Sequence, residues 1–336
     1  MQTREDVRTQ APEEFGRYLL ERLIGRGGAG EVWEALDRVT MRKVALKRLS
    51  AERADDQEYR ARFQREAKLA ARLSDPHVIP IHQWGELDGR LYIDMRLVDG
   101  MDLEQMLNRQ GPLSANRALG IVTQVASALT AAHDAGLVHR DVKPSNILVT
   151  TGPDGQDFAY LADFGITRTT GTDSTGLTTG MIVGSADYMP PEQFRSEADW
   201  RSDIYSLGCV LFRCLTGSVP FPKPDLPALI MAHLNEAPPK VSDRAPWIGK
   251  QLDAIVARAM EKKPEDRWRT AVEFANAANV MGGRLTCPPP KRSLGQTMRA
   301  RFRESRSRSA APVPSSWPGP PCPTAVDAPC SPASRS

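Results

Sequence analysis

Apolar and polar side chains alternate in short runs along the first hundred residues, whereas longer apolar stripes follow. Runs typical of β-strands lie at residues 18–20, 31–35, 44–47 and 91–93. One stretch among them, residues 59–73, carries apolar residues at helical spacing instead, and Pro76 is expected to mark its end. The pattern therefore predicts a small strand-rich part, over about residues 18–98, that contains one helix.

From about Asp102 onward the apolar spacing becomes helical. One apolar stripe covers residues 121–132 and is closed by Gly136, and a second covers residues 204–215. The chain is thus expected to contain a larger helical part over about residues 99–281. A cleft between two such parts is the usual place for a ligand.

A change of composition after Gly282 divides the chain, because proline, serine and arginine replace the apolar periodicity there. We expect an N-terminal extension (1–17), one domain (18–281) and a disordered tail (282–336). The tail holds nine Lys/Arg against two Asp/Glu, so the domain is mildly acidic although the whole chain carries +3. A domain of that charge lacks the basic surface that nucleic-acid binding requires. The tail contacts anionic lipid or a partner, or it is solvated without a target.

Other compositional features bear on location. The five cysteines form no C-x-x-C pair, which is typical of a reducing compartment. The first thirty residues lack the apolar run of a secretory signal, and no run of about 18 apolar residues occurs that could span a membrane. These features predict a cytoplasmic protein without a membrane span.

A glycine-rich turn is the first candidate for chemistry. Its pattern is G-x-G-x-x-G-x-V, with Gly25, Gly27, Gly28 and Gly30 followed by Val32. Small residues let backbone N–H groups approach phosphates closely. A dinucleotide-binding fold would need a helix opening in the turn, whereas residues 31–35 continue as a strand. The turn therefore either binds phosphate between two strands or is an ordinary hairpin turn.

Two charged residues in apolar surroundings form the second candidate. Lys47 projects from a strand whose neighbours are apolar, and a lysine buried there needs an anionic partner. Glu66 lies on the inward side of the predicted helix, where it could pair with Lys47 and aim it at the α- and β-phosphates. Solvated positions for both residues are the alternative.

Residues 139–146, His-Arg-Asp-Val-Lys-Pro-Ser-Asn, are the most informative segment. Asp141 can accept a proton from an attacking hydroxyl, Lys143 can neutralise a moving phosphoryl group, and Asn146 can ligate a metal ion. Asp163 begins an Asp-Phe-Gly tripeptide and offers the carboxylate oxygen that Mg²⁺ prefers. Each short motif alone would be weak evidence for a function, but their occurrence together and in this order indicates phosphoryl transfer from a metal-bound nucleotide.

In these motifs the chain resembles the eukaryotic-type (Hanks-type) serine/threonine protein kinase family, in its bacterial branch, over about residues 18–280. The resemblance implies a bilobal α+β fold, with a small antiparallel-sheet N-lobe carrying one key helix and a larger, mainly α-helical C-lobe. It also implies an ion pair between Glu192 and Arg267, and it implies that Asp203 braces the catalytic loop.

The resemblance further implies where ATP would bind. The adenine ring would lie between Val32, Ala45 and Leu148. Met95 would screen the back of this pocket, and the hinge would follow at Arg96, Leu97 and Val98. Arg96 stands where the family often has an acidic residue, but hinge recognition uses backbone groups, so we expect it to be tolerated.

The segment between Asp163 and Glu192 resembles the family's activation loop, because it is rich in threonine, serine and glycine. By similarity, Thr178 and Thr179 are the expected phosphorylation sites. Arg140 could engage a phosphothreonine and so order the loop. A flexible polar linker is the alternative interpretation.

The expected activity is transfer of the γ-phosphoryl group of ATP to Ser/Thr hydroxyls of proteins, with Mg²⁺ or Mn²⁺ as the metal. The activation loop would be autophosphorylated, which a homodimer could carry out in trans. Two other classes compete, a small-molecule kinase and an inactive scaffold. The former does not need the long hydroxyl-rich segment, and the latter predicts a defect at Lys47, Asp141, Asn146 or Asp163, all of which are present.

Overall fold

A six-stranded antiparallel sheet forms the N-terminal lobe. The computed structural model describes residues 13–27, 30–50, 56–164, 185–195 and 197–282, all within the unit Met1–Pro290. The strands are β1 (Glu13–Phe15), β2 (Tyr18–Gly27), β3 (Gly30–Asp37), β4 (Arg42–Leu49), β5 (Ile81–Leu87) and β6 (Arg90–Arg96). Their order in the sheet is β1-β2-β3-β4-β6-β5.

The sheet begins earlier than the predicted domain boundary. Strand β1 pairs with β2, and Phe15 lies opposite Tyr18 in the register. Phe15 and Tyr18 are both buried on one face of the sheet, where Arg48 lies over the Phe15 ring at 5.7 Å. Residues 13–15 therefore pair with the N-lobe sheet, although they precede the predicted domain start at residue 18.

One helix, α1 (Gln57–Ala70), interrupts the strands of the N-lobe. It starts before the predicted position because the Asp56 side chain caps it, accepting hydrogen bonds from two backbone N–H groups of the first turn. It ends before the predicted position because the chain tightens at Ala71, whose N–H bonds back into the last turn. The buried face carries Tyr59, Phe63, Ala67 and Ala70.

The C-terminal lobe is mainly helical, and its described residues contain one small antiparallel sheet. The strands of this sheet are β7 (Met101–Asp102), β8 (Ile147–Thr151) and β9 (Asp157–Leu161), and they lie in the order β7-β8-β9. Its helices are α2 (Leu103–Gln110), α3 (Ala115–Asp134), α4 (Trp200–Thr216), α5 (Leu226–Asn235), α6 (Val241–Arg244), α7 (Gln251–Ala259) and α8 (Ala271–Gly282). The expected bilobal α+β fold is confirmed.

Helix α4 runs through the centre of this lobe, and most of its residues are buried. It begins at an Asp199 cap and ends at Gly217, whose φ of 72° is the left-handed conformation that favours glycine. Gly208 lets α7 approach closely, because a Cβ there would lie 2.9 Å from the Ala259 Cβ. The central helix thus provides a rigid support for the loops above it.

Among the described helices, none combines the length and the apolar character needed to cross a bilayer. The predicted tail lies outside the described residues from position 283 onward.

Candidate active site

The loop that carries the predicted catalytic residues rests on Asp203 of α4. This buried carboxylate accepts hydrogen bonds from the backbone N–H groups of His139 and Arg140, both at 2.8 Å. Arg140 has a φ of 62°, a conformation that is unfavourable for a side chain with a Cβ and needs support from its surroundings. The two hydrogen bonds supply that support, so Asp203 braces the loop as expected.

His139, to which sequence reasoning gave no role, links this loop to the segment before Asp163. Its Nδ1 accepts from the Asp141 N–H at 3.2 Å, and its Nε2 lies 2.9 Å from the Ala162 carbonyl oxygen, to which it donates. Burial lowers the pKa of His139, against the opposing charge of Asp203. The imidazole is therefore neutral, and its two hydrogen bonds connect the loop to the segment before Asp163.

Two predicted site residues, Lys143 and Asn146, contact Asp141. Lys143 Nζ lies 2.9 Å from Asp141 Oδ2 and donates to Ser185 Oγ at 2.7 Å. Asn146 Nδ2 donates to the Asp141 backbone oxygen at 2.8 Å and to Oδ2 at 3.0 Å. Lys143 and Asn146 thus orient the carboxylate, and Lys143 connects it to the segment after the predicted activation loop.

Lys47 pairs with Asp163 in this structure, with Nζ 2.8 Å from Oδ1. Burial raises the pKa of Asp163, but the charge and the hydrogen bond of Lys47 outweigh it, so the pKa lies below its usual value. The carboxylate is therefore ionised, ready to act as a ligand for a metal ion.

The prediction of an ion pair between Lys47 and Glu66 is wrong for this conformation, because Lys47 forms its ion pair with Asp163. Glu66 Oε2 is buried and has no hydrogen-bond partner. Burial raises the pKa of Glu66 although Arg140, Arg62 and Arg65 oppose the shift. Glu66 nevertheless lies on the inward side of α1, as predicted.

The residues expected to surround adenine lie against one apolar cluster that joins the lobes. Ala45 and Met95 are buried, and Val32, Val98 and Leu148 are partly buried against the same cluster. A cavity of about 20 Å³ is lined by Lys47, Ile79, Ile81, Ile93, Met95, Leu161, Ala162, Asp163 and Phe164. Met95 is therefore one of the residues that line this cavity, and the next residue, Arg96, is exposed.

The glycine-rich turn connects β2 and β3, which is the strand-to-strand arrangement that was predicted. Gly25 pairs with Val32 and Gly27 with Gly30, whereas Gly28 lies outside the described residues. Apart from their chain neighbours, none of the described residues places a heavy atom within 4 Å of a Cβ built at Gly25 or Gly27. Gly30 is required sterically, since a Cβ there would lie 2.1 Å from the backbone oxygen of Arg48.

The two predicted metal ligands are brought together by the β8–β9 hairpin. The Ala162 N–H donates to the Asn146 backbone oxygen at 2.9 Å, which places Asn146 beside the residue that precedes Asp163. The described part of the chain contains no group of three or more His, Cys, Asp or Glu side chains that could by itself hold a metal ion. One carboxylate and one amide oxygen fit Mg²⁺, which usually takes its remaining ligands from phosphates and water.

A buried ion pair anchors the segment after the predicted activation loop. Arg267 donates to both carboxylate oxygens of Glu192, at 2.7 and 2.8 Å, and its side chain is fully buried. Ser202 Oγ also donates to Glu192, at 2.6 Å. The ion pair implied by the resemblance is therefore present. Thr178 and Thr179 lie outside the described residues.

This geometry defines a class of protein: a two-lobed phosphotransferase with a glycine-rich turn, a strand lysine and a braced catalytic loop. Residues 18–278 match the family described as "Protein kinase domain". The chain therefore belongs to the protein kinase family.

Named relatives agree with this assignment. The serine/threonine-protein kinase PknE of Mycobacterium tuberculosis is 52% identical over 268 residues, which are 80% of this chain and 46% of that protein. PknH of the same organism is 50% identical over 266 residues, 79% of this chain and 42% of that protein. The crystal structure of the M. tuberculosis PknI kinase domain aligns with a TM-score of 0.66 at 34% identity, covering 82% of this chain and 99% of that one. The chain spans about half the length of the curated relatives that it matches.

Proposed function

We propose that this chain is an ATP-dependent serine/threonine protein kinase, which transfers the γ-phosphoryl group of ATP to Ser/Thr hydroxyls of proteins. One observation carries the proposal. Asp141, Lys143 and Ser185 form a chain of contacts of 2.9 and 2.7 Å that leads from the candidate base to the segment where an acceptor would bind. The names of the relatives support the choice of Ser/Thr acceptors.

In the proposed reaction the acceptor hydroxyl oxygen attacks the γ-phosphorus while the bond to the β–γ bridging oxygen breaks and ADP leaves. Asp141 accepts the proton of the hydroxyl, and Lys143 neutralises the charge on the transferred group. Lys47, once released from Asp163, binds the α- and β-phosphates. Asn146 and Asp163 would hold Mg²⁺, which neutralises phosphate charge when it is bound.

The test is a transfer assay with the full chain, Mg²⁺, γ-labelled ATP and a generic basic protein. We expect label on the protein, and we expect Asp141→Asn to lower kcat by several orders of magnitude without loss of folding. Asp154→Asn, which makes the same charge change in the exposed turn of the β8–β9 hairpin, is the matched control and should behave like the wild type. Label on small metabolites alone, or no transfer, would contradict the proposal.

Regulation and metal choice extend the proposal. We propose autophosphorylation in trans at Thr178 or Thr179, with Arg140 as the cation that engages the phosphate. Peptide mass spectrometry of active enzyme checks this, and both threonines unmodified would count against it. Mg²⁺ is the proposed metal, with Mn²⁺ as the alternative to compare in the same assay.

A cytoplasmic site of action remains part of the proposal. Among the described cysteines, Cys209 and Cys214 are free and buried, which suits a reducing compartment. Cell fractionation of the full chain tests the location, and the same experiment tests a contact of the basic tail with membrane lipid.

A further inference from the structure

A buried polar pair lies beneath the segment that follows the predicted activation loop. Tyr205 of α4 and His233 of α5 are both fully buried, and the Tyr205 hydroxyl lies 2.9 Å from His233 Nδ1. Lys262 Nζ donates to the His233 backbone oxygen at 2.8 Å, and the Phe221 ring meets the imidazole edge-on at 5.0 Å. The imidazole is therefore held on one side by a hydroxyl and on another by an aromatic ring.

The second ring nitrogen of His233 has no such partner. Nε2 is buried without a hydrogen bond of normal geometry, and it faces the backbone of Asp187. A buried polar atom without a partner is costly, so its retention needs a reason. Nothing in the reaction proposed above uses it.

The protonation states of Tyr205 and His233 decide which ring nitrogen of His233 carries the proton. Burial and the charge of Lys262 lower the pKa of His233 to about 3, so the ring is neutral and carries one proton. Burial raises the pKa of Tyr205 well above its usual value, so the hydroxyl keeps its proton and can donate to Nδ1. The ring proton then resides on Nε2, where it points at the Asp187 backbone as a hydrogen-bond donor.

Asp187 belongs to the short 3-10 turn Ala186–Tyr188, against which α5 packs. Ser185 directly precedes the turn and accepts the 2.7 Å hydrogen bond from Lys143. His233 thus lies behind the acceptor side of the site. The nucleotide side, with Lys47 and Asp163, belongs to the other face of the cleft.

We propose that His233 is a positioning residue for the protein acceptor. Oriented by Tyr205, its Nε2–H closes onto the Asp187 carbonyl oxygen when an acceptor binds, which fixes the Ala186–Tyr188 turn beside Ser185. Hydrogen bonds that are long in the free enzyme often tighten only in the complex. This inference rests on the proposed kinase function and assigns a residue that touches neither ATP nor the transferred group.

Two substitutions test the roles of the two ring nitrogens of His233 separately. The amide of His233→Asn falls near the Nδ1 position, so it keeps the Tyr205 contact but lacks the donor at Nε2, whereas the longer His233→Gln places its amide near Nε2. Steady-state kinetics with the generic basic protein and ATP, each varied separately, are the measurement. We expect His233→Asn to raise the acceptor KM about five- to tenfold, the loss of one buried hydrogen bond, with the ATP KM unchanged. His233→Gln should restore most of the loss.

A third variant changes the hydrogen bond that fixes the tautomer of His233. Tyr205→Phe removes the hydroxyl but keeps the ring, over which Arg267 lies at 5.0 Å. Without the hydroxyl to orient Nδ1, the acceptor KM should again rise with no change for ATP. This variant decides the question if His233→Asn does not fold.

Several outcomes overturn the inference. The inference fails if His233→Asn has the same acceptor KM as the wild type. It also fails if His233→Asn lowers the melting temperature and raises the KM values for acceptor and ATP together, because His233 would then only stabilise the lobe. Failure of the wild type to phosphorylate any protein would instead reject the proposed function, so the two results are distinguishable.

Discussion

Replacing Arg267 should destabilise the domain more than replacing any surface cation. The guanidinium makes five hydrogen bonds, two to Glu192 and one each to the backbone oxygens of Glu261, Arg201 and Lys262, at 2.7 to 3.2 Å. Its removal leaves a buried carboxylate for which, among the described residues, the Ser202 hydroxyl is the one remaining side-chain donor. Breaking a buried ion pair by removing one partner costs about 3–5 kcal/mol. We expect Arg267→Met to fall in that range.

Urea unfolding followed by circular dichroism gives the free energy of unfolding. Arg22→Met is the matched control, because the Arg22–Glu34 pair has the same 2.7 Å separation but Arg22 is 64% exposed. Such a surface pair contributes less than about 1 kcal/mol. Arg267→Lys should recover only part of the loss, since an ammonium cannot bind both oxygens of Glu192 in one plane. A loss below about 1 kcal/mol for Arg267→Met would refute the argument from burial.

Three further predictions concern single side chains. Glu66→Gln should leave the free energy of unfolding at pH 7 unchanged or raised, because burial raises the pKa of the carboxyl and disfavours its charge. If the active form needs an ion pair between Glu66 and Lys47, the same substitution should lower kcat at least tenfold. An unchanged kcat would show that Glu66 has no part in the mechanism. The pKa of Asp187 is raised to about 6 by burial and by a neighbouring carboxylate, so stability should fall as the pH rises through 4 to 6. Asp187→Asn should be more stable than the wild type at pH 7 and equal to it below pH 4, and parallel curves in pH-dependent urea unfolding would contradict this. Gly30→Ala should lower the melting temperature, because its Cβ would collide with the backbone oxygen of Arg48, and an unchanged scan would show that the hairpin can relax.

The elements that the sequence predicted well are those with a strong local signal. Helix α4 has a long apolar stripe, an Asp cap and a terminal Gly217, and its predicted span of 204–215 lies inside the observed helix. Strands β3 and β4 follow from alternation in the same way. Helix α1 was placed three residues off at its end, because no glycine or proline stands at Ala71 and the last turn simply tightens.

Contacts between distant segments could not be predicted in the same way. The partner of Lys47 depends on how α1 and the residues around Asp163 sit against the sheet, and periodicity carries no such information. His139 and His233 were missed because each makes its contacts through burial among segments far apart in sequence. Glu192, Arg267 and Asp203 were found only through the family resemblance.

The Lys47–Asp163 ion pair has a thermodynamic consequence for the nucleotide. In the proposed reaction both side chains bind ATP or its metal ion, so the ion pair competes with those ligands. If only one molecule in a hundred has the pair open, the apparent dissociation constant is about a hundredfold weaker than the intrinsic one. Any event that draws Lys47 to Glu66 then strengthens nucleotide binding from a distance. By reciprocity, ATP favours the same rearrangement of α1.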